Sequence, residues 1–273
     1  MPAKISVCFL FAILFFSCEH SQSQIDTFKK FTYLLAGVDD TNKIKELGNV
    51  FFIKTKQNDT FLVSAGHLFN CYDPFNGRFI SKDSQWTEAK IRLPKENSGV
   101  EYMPINIVGI ISHTRIYLYY DSSDLICLKV HIPSGFVINT LEKYIPVTYD
   151  LKTEVTSLFL WGFTGNGRTP SNDHPIMLDT LSPSFAHGKI ENDISYYVHK
   201  RNAASFLDSI NYIIRPVAVE GESGSPIFFN LSNGDRIFGG LLTGGNKTMG
   251  VSYALRPETV IKMIERMCKC SIK

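Results

Sequence analysis

The stretch Val219-Glu220-Gly221-Glu222-Ser223-Gly224-Ser225-Pro226 sets a serine between glycines, with apolar, strand-like sequence on both sides. Gly221 and Gly224 have no Cβ, so the backbone can turn sharply there and approach a ligand closely. Such a turn can aim the amides of Gly221 and Ser223 the same way. Two convergent N–H groups are what a developing oxyanion needs. The Ser223 hydroxyl then lies beside them as a nucleophile. A glycine-serine hairpin turn without chemistry has the same composition, so the rest of the chain must decide.

A serine hydroxyl is a poor nucleophile until a base takes its proton, and that base needs an orienting acid. Phe61-Leu62-Val63-Ser64-Ala65-Gly66-His67 is an apolar strand that ends in small residues and then a histidine. Of seven histidines, His67 alone has room for its ring at a strand end. Asp124-Leu125-Ile126-Cys127-Leu128-Lys129-Val130 is an aspartate opening an apolar strand. Asp121 stands three residues earlier, in a loop, as the fallback for the same role. The chain order is His, Asp, Ser.

These windows resemble the trypsin/chymotrypsin-like serine peptidases. That family carries [TS]-A-[AG]-H, D-[LI]-x-x-L and G-[DE]-S-G-[GS]-P in this order. The resemblance implies two six-stranded antiparallel β-barrels with a C-terminal helix. It implies a catalytic triad of His67, Asp124 and Ser223, and an oxyanion hole from the amides of Gly221 and Ser223. By family alignment Val217 is the floor of the primary pocket, and Thr243, Gly244 and Gly245 form its wall, which suggests an uncharged substrate side chain. Neither a cofactor nor a metal is implied. The chain departs from the family in two places. Leu47-Gly48-Asn49 replaces the usual Gly-x-Gly before the first strand, a small departure. The Ile-Val-Gly-Gly start of zymogen-activated members is absent, so Glu222 has no new N-terminus to pair with. Its partner is left open between nearby backbone and Arg215.

Two other function classes compete. A protein-binding module on the same fold is usually betrayed by a lost triad residue, and none is lost. An acyl hydrolase with a Gly-x-Ser-x-Gly elbow feeds a helix and orders its residues Ser, Asp, His. Here Ser225 replaces the second glycine, a strand follows, and the serine comes last.

The elements that must position these residues are short strands. Val50–Thr55 and Thr60–Ser64 read as a hairpin about the turn Gln57-Asn58-Asp59. Ala89–Leu93, Ile105–Ile111, Val155–Phe163, Phe185–Ile190, Ser195–His199, Tyr212–Val219, Ile227–Asn230, Ile237–Thr243 and Val251–Leu255 read as further strands. Leu141–Asp150 reads as the crossing between halves. About a dozen strands with few helices argue for all-β barrels or sandwiches. Pro257–Met267 reads as a helix, with Val260, Ile261, Ile264 and Met267 on one face. Ile25, Phe28, Phe31, Leu34 and Leu35 have helical spacing and predict a short amphipathic helix.

The 273 residues are 44% hydrophobic and 20% charged, an ordinary globular composition. A net charge of +2 implies no polyanionic partner, and no nucleic-acid partner is expected. The expected partner is a protein or peptide substrate, and the expected state is a monomer. Lys4 followed by the apolar run Val7–Phe16 reads as an export signal, too short for a permanent span. Ser17-Cys18 after that run resembles a bacterial lipobox, with Phe15 where leucine is usual. Acylation at Cys18 would tether the domain to a membrane surface, periplasmic or cell-surface; plain cleavage is the other reading. The domain expectation is a signal at 1–17, a tether at 18–46, a first barrel at 47–140 and a second at 141–273. Of six cysteines, Cys127 sits in an apolar strand as a small hydrophobe. Any pairing among Cys71, Cys127, Cys268 and Cys270 cannot be read from sequence.

Overall fold

The computed structural model describes residues 27–38, 44–69, 88–97, 99–105, 124–145, 154–164, 183–191, 211–215, 218–219 and 221–268. Residues 27–29 form a helical turn. From Phe31 onward the chain is a separate unit, and both β layers belong to it.

Its first half holds β1 (Tyr33–Val38), β2 (Ile44–Lys54), β3 (Thr60–Ser64), β4 (Glu88–Pro94), β5 (Val100–Ile105) and β6 (Ile126–Val130). They form one six-stranded sheet in the order β5-β4-β1-β2-β3-β6. The second half holds β7 (Val155–Phe163), β8 (Pro183–Ile190), β9 (Asn211–Arg215), β10 (Pro226–Leu231), β11 (Arg236–Asn246) and β12 (Val251–Leu255). These close into a barrel in the order β10-β11-β12-β9-β8-β7. Every ladder between these strands is antiparallel. No ladder closes the first sheet among the described residues.

Several strands are apolar on both faces, and the pleat explains why. Side chains alternate across a strand, so two dry faces need a continuous apolar run. Leu158, Leu160, Ile227 and Phe229 point into the second core. Their neighbours Phe159 and Phe228 point the other way and stack at 5.4 Å, where Phe228 also meets Phe31 and Tyr144. Likewise Val50 and Phe52 enter the first core, while Phe51 packs on Phe238 of β11 at 5.3 Å. Each such buried ring contributes about 1.5–3 kcal/mol, so the halves are joined by an aromatic layer.

The expected helix over Ile25–Leu35 gives way to β1. All six residues of Tyr33–Val38 are buried, and β1 lies between β2 and β4. An apolar run without alternation fits a buried strand as well as a helix face. The first sheet therefore starts at Tyr33 and β2 reaches back to Ile44, both inside what was read as the tether. A strand not expected from the sequence spans Val100–Ile105; of the strand expected at Ile105–Ile111 only Ile105 is described, and residues 195–199 lie outside the described residues. The helix, here α1, spans Pro257–Cys268 with Val260, Met263 and Ile264 buried.

Candidate active site

Antiparallel pairing brings His67 and Asp124 to one end of the first sheet. Residue Ser64, the last of β3, is registered with Ile126, the first of β6. His67 lies three residues beyond one strand end and Asp124 two residues before the other. His67 sits in a 3-10 turn, Gly66–Phe69. The backbone N–H of His67 donates to Asp124 Oδ1 at 2.8 Å, and Nδ1 lies 2.6 Å from Oδ2. A carboxylate only accepts, so Nδ1 carries the proton in this pair. Side-chain exposure is 8% for Asp124 and 25% for His67. The acid is covered while the imidazole edge reaches solvent.

The Ser223 turn uses its amides alternately. Glu222 N–H donates to Val219 O at 3.0 Å, and Gly224 N–H to Leu242 O at 2.8 Å. Leu242 N–H returns to Ser225 O at 3.0 Å, which ties the turn to β11. Among the described residues, the N–H groups of Gly221 and Ser223 have no acceptor. They are the two amides such a turn would offer to an oxyanion. Glycine is required here: Gly221 has φ +94° and Gly224 φ +86°. A Cβ on Gly224 would lie 1.9 Å from Asn49 O.

That close approach docks the turn on the first sheet. Asn49 N–H, on β2, donates to Ser223 O at 2.8 Å. Ser64 Oγ, three residues before His67, donates to Asn49 O at 2.6 Å. The structure thus joins His67 directly to Asp124, and sets Ser223 against the strands that deliver the histidine. The Ser223 side chain is half-buried, and its hydroxyl has no hydrogen-bond partner among the described residues. Hydrogen bonds of this kind often tighten only when a substrate is bound.

Glu222 resolves one alternative that the sequence left open. Its partners are a nearby backbone amide and a hydroxyl from β8: Val219 N–H donates to Oε2 at 2.6 Å, and Ser184 Oγ lies 3.1 Å from Oε1. Arg215 instead pairs with Glu191 at 2.9 Å. Burial pushes the Glu222 carboxyl above the usual glutamate range, against the lowering effect of those two hydrogen bonds. Thr243, Gly244 and Gly245 continue β11 just past Leu242. Among the described residues nothing lies within 4 Å of a Cβ placed on Gly244, while Gly245 faces Ala218. Val217, Asp121, Cys18, Cys71 and Cys270 lie outside the described residues. Cys127 is free and buried, and burial raises its thiol pKa. Among the described residues no three His, Cys, Asp or Glu side chains cluster as metal ligands.

Sequence reasoning missed Asn49, Ser184 and Leu242 because each meets the turn from a distant strand. One signal was present: polar Asn49 in a run that is otherwise buried and apolar.

Similar solved structures were found for this arrangement. The structure of GrC has a TM-score of 0.51 at 12% identity, covering 88% of this chain and 95% of that one. The scabies mite inactivated protease paralogue S-D1 has 0.51 at 13%, covering 89% and 94%. Deg5 has 0.50 at 13%, covering 89% and 93%. The fold is that of the trypsin-like proteases. No family model matches the chain, and no curated protein matches it. A trypsin-like protease fold does not by itself establish chemistry, since one neighbour is described as inactivated.

Proposed function

We propose that this trypsin-like fold is a serine endopeptidase that works through an acyl-enzyme. The observation that carries the reading is the two-point grip of Asp124 on His67, at the sheet end where the Ser223 turn docks. With the proton on Nδ1, His67 Nε2 takes the Ser223 proton as the hydroxyl attacks a peptide carbonyl. Asp124 orients the imidazole and stabilises the cation it becomes. The unused amides of Gly221 and Ser223 receive the oxyanion, at about 3 kcal/mol per donor. The imidazolium then protonates the leaving amine, and water repeats the sequence on the acyl-enzyme.

Thr243–Gly245 supply an edge for substrate backbone. The space beside Gly244 among the described residues would take an uncharged substrate side chain. Cleavage of a peptide library varied at that position tests this; a preference for Arg or Lys removes it. The leader Val7–Phe16 supports export. Mass analysis of the mature N-terminus separates acylation at Cys18 from plain cleavage.

Labelling with a fluorophosphonate probe tests the central reading. The expected result is one label on Ser223, lost in Ser223→Ala and in His67→Ala, both folded as judged by circular dichroism. A folded wild-type protein that takes no label, and cleaves no member of the library, is instead a binding module.

A further inference from the structure

The side chain of Asn49 is fully buried, and it makes three hydrogen bonds to backbone. Oδ1 accepts from Phe163 N–H at 2.7 Å, and Nδ2 donates to Phe163 O at 3.2 Å. The second Nδ2 hydrogen goes to Gly221 O at 2.7 Å. The orientation of the carboxamide is forced, because Phe163 N–H needs an acceptor and two carbonyls need donors. The side chain thus imitates a strand partner for the last residue of β7. Fixed in that way, it presents one donor to the Ser223 turn.

We propose that Asn49 is a positioning residue that holds the Gly221–Glu222 peptide in the orientation the oxyanion site needs; this rests on the peptidase reading. The peptide lies between the two unused amides. Its carbonyl is held by Asn49 and its N–H by Val219 O at 3.0 Å. Gly221, at φ +94°, imposes little torsional resistance to a flip of that plane. A flip would break both hydrogen bonds and re-aim the neighbouring amides. Asn49 also binds Ser223 O through its own N–H, so one residue fixes the carbonyls on both sides of Glu222. The resembling family has glycine at this place in Gly-x-Gly, so the contact belongs to this chain's own side chain.

Two variants test it in the full chain. Asn49→Asp keeps the shape but sets an oxygen against two carbonyls. Asn49→Ala removes the donor and serves if the first does not fold. Two quantities are read: kcat and KM on a cleaved peptide, and amide hydrogen exchange in fragments covering Gly221–Ser225 and, as a remote control, Glu88–Ile105. The expected result is kcat lower by roughly 10²–10³, the range for a lost oxyanion donor, with KM within about twofold because the donors act in the transition state. Exchange is faster in the turn and unchanged in the control. Unchanged turn exchange, or faster exchange with kcat intact, overturns the proposal, as does an equal rise in the control fragment. If wild-type protein takes no fluorophosphonate label, the peptidase reading falls by itself. Turn exchange then still decides whether Asn49 holds the peptide.

Discussion

Two buried acids flank the site, and they have opposite surroundings. Asp124 meets an imidazole, which can take up a charge, through two N–H groups of one residue. Glu222, 2% exposed, meets only neutral dipoles among the described residues: the Val219 amide and the Ser184 hydroxyl. The first acid is placed to orient a base. The second folds back on its own turn, with no cation beside it among the described residues.

Removing the first acid's charge should have the largest effect. Asp124→Asn keeps the shape but presents an N–H₂ to one of the His67 donors and favours the wrong tautomer. We expect kcat to fall about 10⁴-fold, the order seen when this tautomer is lost in a Ser-His-Asp site, with the melting temperature changed far less. Steady-state kinetics on a cleaved peptide check it. Near-normal turnover would mean that the grip on His67 is structural only.

Next in size is the glycine that seats the turn between the halves. Gly224→Ala imposes a left-handed conformation on a residue with a Cβ, at about 1–3 kcal/mol. It also drives that Cβ into Asn49 O and Ser64 Oγ, at 1.9 and 2.6 Å. Because the obstacle at Asn49 is backbone, a rotamer change cannot relieve it. Denaturant unfolding should show a loss of roughly 3 kcal/mol or more, and turnover should fall with it.

What was legible in the sequence divides along the same line. His67 and Asp124 could be found because each is written locally, as a strand followed or preceded by one polar residue, and pairing of β3 with β6 does the rest. The same holds for the helix from Pro257, whose pattern has one clear period, while Val155–Phe163 and Val251–Leu255 are short apolar runs bounded by turn residues. Tyr33–Val38 was misread because a strand buried on both faces has no period to read. The supports of the second acid were illegible for another reason. Ser184, Leu242 and Asn49 come from β8, β11 and β2, and no local pattern ties a polar residue to a partner on another strand. Asn49 was visible as a departure from a glycine motif and as a polar residue in an apolar run, and its weight became apparent once its three backbone bonds were in view.

A smaller effect concerns the charge of Glu222. Ser184 Oγ lies 3.1 Å from both Glu222 Oε1 and Gly162 O, and one hydroxyl proton cannot serve two acceptors. A protonated Glu222 would donate to Ser184, which would then donate to Gly162. The raised pKa has the same sense. Below about pH 4 the unfolded chain also holds this proton, and the contribution to stability is fully present. As pH rises, the unfolded state releases the proton first, and stability is lost up to the raised folded value. Glu222→Gln does not titrate. Its melting temperature relative to wild type should therefore climb as pH rises from about 4 towards 7. A difference that is flat or falls with pH would show that Glu222 is held as a carboxylate.

The smallest effect sharpens the comparison by excluding a cation. Arg215 is the charged residue the sequence offered to Glu222, and it instead reaches Glu191 from a half-exposed position. An exposed pair of this kind is worth about 0.2–1 kcal/mol. Loss of that pair in Arg215→Ala should therefore cost about that much and leave the pH dependence assigned to Glu222 unchanged. If Arg215 were the partner, its loss would raise the carboxyl pKa further and steepen the decline of stability with pH. Thermal melts of wild type, Arg215→Ala and Glu222→Gln across one pH series separate the two cases. Matching slopes for wild type and Arg215→Ala, with a different slope for Glu222→Gln, would place the titration in the turn itself.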